Sequence, residues 1–306
     1  MKSEIRKDYL LNKYVIITPD RAMRPRDIKE QTIISRTGEC PFCLENIKPK
    51  KIIDSVKIAG KLLMLSLKNI FPAVSLDNPL AYGTQEVIIE TLDHIKELHD
   101  LSAKHIEQLL RFYAKRTLAI SQNKKIDYIL CFKNQGSKAG ASIVHAHSQI
   151  LATAILPSEI KEELALAQNY KEKHNCCPYC DIIKKEIKSK RKIFEDKNIA
   201  VFTPYASQYH YEVWFFTKRH LDNITKFNDQ EFISLSKILK RILIKLHNLD
   251  LSFNFFLHQA ILAKDQHFYL KIQPRDSVWA GAELGSGLVI NSVSPEIAAE
   301  YYRKHE

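Results

Sequence analysis

The residues best suited to chemistry in this 306-residue chain lie in one stretch, 134–150, which reads NQGSKAGASIVHAHSQI. It holds a glycine-bearing turn (Gly136, Gly140), a serine (Ser142) and a His-x-His-x-Gln run (His145, His147, Gln149). The apolar runs on either side, 128–132 and 150–151, read as strands. In extended backbone alternate side chains share a face, so His145, His147 and Gln149 are expected to point the same way. Two imidazoles and a carboxamide then stand beside a turn whose backbone N–H groups can approach an anion. That combination suits attack by a histidine on a phosphorus atom. The plainer reading of the same stretch is a polar strand face with two solvated histidines.

A second chemistry is written in the cysteines. There are six, and four form two CxxC pairs, Cys40/Cys43 and Cys177/Cys180. Outside an oxidising compartment such pairs point to metal before disulfide. Cys131 sits in an apolar strand and reads as a small buried hydrophobe. Histidines follow each pair in the same order. His94 comes 51 positions after Cys43 and His145 another 51 on, while His220 comes 40 after Cys180 and His267 another 47 on. Cys40, Cys43, His94 and His145 make one Cys2His2 set. Cys177, Cys180, His220 and His267 make another, with His258 as a rival for its last ligand. Zinc suits this mix of thiolate and imidazole, and four ligands fill a tetrahedral site, so two structural zinc ions are expected.

These side chains need elements to hold them, and the elements recur. Each half reads CxxC, a strand ending near a histidine (85–90, then 211–216), a helix (101–122, then 229–249) and a strand pair carrying a histidine. A fixed order repeated once implies two similar domains. They are expected at 1–160 and 161–306, with an alanine- and glutamate-rich helix as the link. The opening segment adds a strand, 14–17, and a basic run around Pro25 that includes Arg24. Those arginines suit phosphate binding or are surface charges at a turn.

The length suits two domains of ordinary size, and 45% hydrophobic residues can build cores. A net charge of +11 suits nucleotide and sugar-phosphate substrates. Nucleic acid is a weaker partner on this reading, because no strand interleaves basic and aromatic residues for stacking bases. No signal-peptide pattern opens the chain, and no apolar run approaches the ~20 residues that span a bilayer, so a cytoplasmic protein with no membrane partner is expected.

The chain resembles the galactose-1-phosphate uridylyltransferase family, a branch of the histidine-triad superfamily. The resemblance runs from RKDYLLNKYVIITPDRAMRP through CPFC, NIFPAV, the strand ending at His94 and the 134–150 core. It continues through EVWFFTKRH, HFYLKIQPR and residues 280–299. It implies an α+β fold of two histidine-triad-like domains, each an antiparallel sheet with helices, arising by internal duplication and paired as a homodimer. It implies a ping-pong reaction between nucleotide-sugar and sugar-1-phosphate substrates through a nucleotidyl-histidine, with His147 as nucleophile. His145 matches a zinc ligand whose backbone carbonyl orients that nucleophile. Gln149 and Ser142 match residues holding phosphoryl oxygens, and Asn134, Gly136 and Gly140 match the phosphate loop. Asn69 and Phe71 match the nucleoside pocket, Arg24 the N-terminal basic motif, and Glu283 the sugar end.

Two departures stand out. His145-Ala146-His147 replaces the family's His-Pro-His, which leaves the reactive groups intact. At the sugar end Glu283 is kept, but Ser277 and Ala282 replace a lysine and a tyrosine. The AGAELGSG form is closer to the branch that includes ADP-glucose phosphorylases. Tyr269 stands where the second half would carry a nucleophile, so catalysis is expected in the first half. The first expectation is exchange of uridylyl between UDP-glucose and galactose-1-phosphate. The alternatives are a phosphorylase of ADP-glucose or dinucleoside polyphosphates, and a zinc-stabilised nucleic-acid-binding protein.

Overall fold

The computed structural model of the chain describes residues 4–18, 40–261 and 266–304. The first half contributes β1 (Glu4–Lys7), β2 (Tyr14–Ile17), β3 (Ile52–Ile58), β4 (Lys61–Lys68), β5 (Gly83–Ile89), α1 (Ala103–Ser121), β6 (Tyr128–Gln135) and β7 (His147–Thr153). A connecting helix, α2 (Ser158–His174), leads to α3 (Pro178–Glu186), β8 (Lys192–Glu195), β9 (Ile199–Phe202), β10 (Val213–Thr217) and α4 (Asp229–Asn248). The chain closes with β11 (Phe253–His258), β12 (Tyr269–Pro274), α5 (Gly281–Ser286), β13 (Val289–Asn291) and α6 (Pro295–Arg303).

Ten strands form one sheet in the order β3-β4-β5-β7-β6-β11-β12-β10-β9-β8. Outward from the central β6–β11 seam, each half has the same order, and each places its long helix between the third and fourth of its strands. The repeated order of parts in the sequence is therefore a repeated topology. All neighbours in this sheet run antiparallel. A separate three-stranded sheet pairs β1 with β2, and β2 in parallel with β13, tying the start of the chain to its end.

Strand alternation sorts the two faces. On one face Met64, Ile88, Ile129, Cys131 and Ile150 pack beneath α1 and α4 with Leu109, Phe112, Leu239 and Leu243 in one continuous core. Ser102 caps α1, and Asn228 with Glu231 forms a capping box on α4, so both helices begin at defined points. Truncating Phe255 to alanine at the centre of this core should cost about 3–5 kcal/mol. The opposite face carries His147 and Gln149, beside Leu65, Leu67, Val87 and Ile89.

One local expectation needs correction, and further elements are added to it. β7 begins at His147, so His145 lies in a bend just ahead of the strand and not within it. The outer strands β3 and β8, seven and four residues long, are not among the sequence-based expectations; both are flanked by lysines, which also protect an exposed sheet edge from pairing. The second CxxC opens a helix, α3.

Candidate active site

The turn 40–43 is closed by the Cys43 N–H donating to the Cys40 carbonyl at 3.2 Å, which brings both thiols to one side. His94, from the loop after β5, and His145 converge on them. Cys43 Sγ lies 3.4 Å from His94 Nδ1 and 3.7 Å from His145 Nδ1, and Cys40 Sγ lies 3.7 Å from His145 Nδ1. A tetrahedral zinc ion holds its ligand atoms about 3.3–3.8 Å apart, so the donor set fits. His145 Nε2–H donates to the Thr91 carbonyl at 2.8 Å, which turns Nδ1 toward the thiols.

The second half repeats the arrangement with Cys177, Cys180, His220 and His267. Cys180 Sγ is 3.5 Å from His220 Nδ1 and 3.6 Å from His267 Nδ1, and His267 Nε2–H donates to the Thr217 carbonyl at 2.7 Å. His258 stands apart from this group, with its ring stacked on Tyr269 at 4.4 Å.

His147 opens β7, and its Nδ1–H donates to the His145 carbonyl at 2.9 Å. That bond makes Nε2 the nitrogen with the lone pair. Burial pushes the His147 imidazole down to about 4, helped by the nearby Lys133 and opposed by the His145 carbonyl, so the ring is neutral at neutral pH. Beneath it Lys133, 1% exposed, donates to Glu90 at 2.7 Å and to the His147 carbonyl at 3.2 Å. Tyr113 donates to Ser148 at 2.7 Å from the core side. The strand that begins at His147 is thus held from behind by a buried polar network.

In front of His147 lies a cavity of about 520 Å³ lined by Phe42, Lys48, Lys51, Asn69, Phe71, Gln85, Ser142 and Gln149, among others. Asn69 and Phe71 come from the loop between β4 and β5, where Asn69 Oδ1 accepts from the Phe71 N–H at 2.9 Å. Phe71 is 89% exposed, an aromatic residue at the cavity edge. Lys48, Lys51 and Lys68 add positive charge to the lining.

Asn134 lies near the end of β6, and Gly136 and Gly140 sit on the turn after it, where both glycines have positive φ (79° and 84°). At Gly136 a side chain is excluded twice, because a Cβ would also come within 2.3 Å of Ser252 Oγ. Asn254, on β11 of the other half, donates to Asn134 Oδ1 and to the Ala139 carbonyl, both at 2.8 Å. Glu283 is not among the residues lining the cavity; it accepts from the Ala280 N–H at 2.9 Å and caps α5. Arg24 lies outside the described residues. Sequence reasoning passed over Phe42, Gln85, Lys133, Ser252 and Asn254. The last two carry no local signal, since only the β6–β11 pairing brings them to the turn.

The matching face of the second half is packed shut. Tyr269 donates to Glu163 at 2.7 Å, Tyr179 donates to the same oxygen, and Trp214 and Phe216 stack against Tyr269. α2 and α3 supply Ala167, Tyr179, Ile182 and Ile183 to this cluster.

Comparison with known proteins follows the same lines. Residues 24–155 match a family described as a domain of unknown function (DUF4931), N-terminal domain. The chain is 30% identical to the ADP-glucose phosphorylase of Arabidopsis thaliana, over 98% of this chain and 92% of the relative. It is 28% identical to the galactose-1-phosphate uridylyltransferase of Thermotoga maritima, over 99% of this chain and 98% of the relative. A crystal structure of the Arabidopsis ADP-glucose phosphorylase with bound ADP-glucose has a TM-score of 0.87 to this fold, at 29% identity and covering 100% of both chains. With full-length likeness in both sequence and duplicated topology, the chain belongs to the galactose-1-phosphate uridylyltransferase family, and is an enzyme of the nucleotidyltransferase type.

Proposed function

We propose that the chain transfers a nucleotidyl group from a nucleotide sugar to a phosphate-bearing acceptor by way of His147. The observation that carries this reading is the His147 Nδ1–H to His145 carbonyl bond at 2.9 Å, which turns the neutral Nε2 into a held nucleophile beside the cavity. In the first step Nε2 attacks the α-phosphorus, the P–N bond forms, and the bond to the sugar-phosphate oxygen breaks. Sugar-1-phosphate leaves with the electron pair. In the second step an acceptor oxygen attacks the same phosphorus and the P–N bond breaks, restoring the imidazole. Gln149 and Ser142 donate to the phosphoryl oxygens, and the 136–140 turn holds the neighbouring phosphate. Asn69 and Phe71 face the nucleoside. Such preset donors lower the barrier because they need not reorganise as charge develops.

The acceptor we favour is inorganic phosphate, with ADP-glucose as donor. Ser277 and Ala282 lack the amine and phenol that the resemblance assigns to a hexose-phosphate site, and the Arabidopsis relative is an ADP-glucose phosphorylase. Uridylyl exchange is the second reading, favoured by the Thermotoga relative. Cys40, Cys43, His94 and His145 would hold one zinc ion and Cys177, Cys180, His220 and His267 another, each stiffening the fold. The domain division at residues 160 and 161 and a homodimer complete the proposal; a monomeric mass in light scattering would remove the dimer.

The test is intact-mass spectrometry after mixing the protein with ADP-glucose or UDP-glucose and no acceptor. An adenylyl adduct supports the first reading and a uridylyl adduct the second. No adduct with either sugar overturns the covalent mechanism.

A further inference from the structure

Gln85 lies on β5, diagonal to Gln149 on β7, whose direct partner is Val87. Both carboxamides are on the cavity face. Gln85 Oε1 accepts from the backbone N–H of Ala73 at 2.9 Å, and Gln85 Nε2 donates to Gln149 Oε1 at 2.8 Å. The two ends of a carboxamide are easily exchanged, but a backbone N–H can only donate. The Ala73 N–H therefore selects the oxygen end of Gln85, which turns the amino end to Gln149. Gln149 must answer with its oxygen, which leaves its own amino end for the cavity beside His147.

We propose that Gln85 is a positioning residue that sets the polarity of Gln149, so that a donor and not a carbonyl meets the phosphoryl oxygen. Without it the Gln149 amide would have to be reoriented while charge develops, and a donor aligned beforehand avoids that cost. Gln85 also fastens the loop that brings Asn69 and Phe71 to the cavity. Its main-chain carbonyl accepts from the Asn69 N–H at 3.1 Å, and its side chain holds Ala73. One residue thus couples the seating of the nucleoside loop to the direction of the phosphoryl donor. The inference rests on the proposed nucleotidyl transfer to His147.

The test uses two substitutions of opposite character. Gln85→Glu keeps the acceptor for Ala73 but presents only oxygen to Gln149, which reverses the Gln149 amide. Gln85→Leu loses both bonds and imposes no polarity. Rapid-quench labelling of His147 with radiolabelled ADP-glucose or UDP-glucose reads the outcome, with thermal melting to confirm that each variant is folded. Gln85→Glu should slow labelling by about 10²-fold, close to the loss in Gln149→Ala, and Gln85→Leu should be milder. A merely structural role predicts the reverse order, because leucine abandons the loop and glutamate keeps it. On the Gln149→Ala background Gln85→Glu should change the rate by less than about twofold, since coupled residues are not additive. Full multiplication of the two losses, or a greater loss in Gln85→Leu than in Gln85→Glu, would overturn the inference while leaving the labelled wild type and its mechanism standing. Should Gln85→Glu not fold, the cycle of Gln85→Leu with Gln149→Ala decides: a double loss short of the product of the two single losses supports the inference, and full multiplication overturns it. A wild type that takes no label overturns the proposed function and this inference with it.

Discussion

The Nδ1 of His147 and the carbonyl oxygen of His145 lie 2.9 Å apart, so a residue of the first Cys2His2 group orients the neighbouring imidazole through its own main chain. The same His145 ring is held at its far side by the Thr91 carbonyl. Orientation of the His147 ring is therefore linked to the thiol and imidazole cluster by two peptide units and not by a flexible side chain.

His147→Gly should take no nucleotidyl label from a nucleotide sugar, yet should accept a nucleotidyl-imidazolide supplied from solution, which replaces the missing ring. The change removes the attacking atom and leaves the cavity. Stoichiometric label from the nucleotide sugar on this variant would eliminate His147 as nucleophile.

Each Cys2His2 group should bind one zinc ion, giving two per chain by elemental analysis. Well under one per chain would sink the assignment. Cys40→Ser should lower stability by several kcal/mol in denaturant unfolding, because metal binding to a closed site is folding free energy. Protein that survives should label more slowly as well, since His145 loses its anchor.

Asn254→Ala removes two hydrogen bonds, one to Asn134 at the end of β6 and one to Ala139 in the glycine turn, worth about 1 kcal/mol each. Adduct formation should slow by about tenfold with a melting temperature within a few degrees of wild type. An unchanged labelling rate would show that the turn keeps its shape without the second half.

Tyr269→Phe should retain the adduct and most turnover. It removes one of two phenol donors to Glu163 Oε1, a loss of about 1–3 kcal/mol of stability. Loss of adduct as complete as in His147→Gly would place catalysis in the second half as well.

The two Cys/His groups, the His145–His147 pair and the repeated order of parts were legible in the chain itself, because each depends on short spacings or a simple count. CxxC brings two thiols together within one turn, and His-x-His lets the second ring reach the carbonyl of the first. The repeated order of parts needs only counting. What only the tertiary structure decided lies across strand pairings. β6 and β11 are separated by more than a hundred residues, yet their register puts Asn254 against Asn134 and Ser252 against Gly136. Gln85 reads in sequence as one polar residue in a strand, and its meaning comes from a backbone N–H on one side and Gln149 on the other. The closing of the second half is likewise a packing outcome. Tyr269 alone signals a missing nucleophile, but it takes α2, α3, Trp214 and Phe216 to fill the face. Local patterns decide which groups are available, and long-range pairing, which no local pattern specifies, decides which way they point.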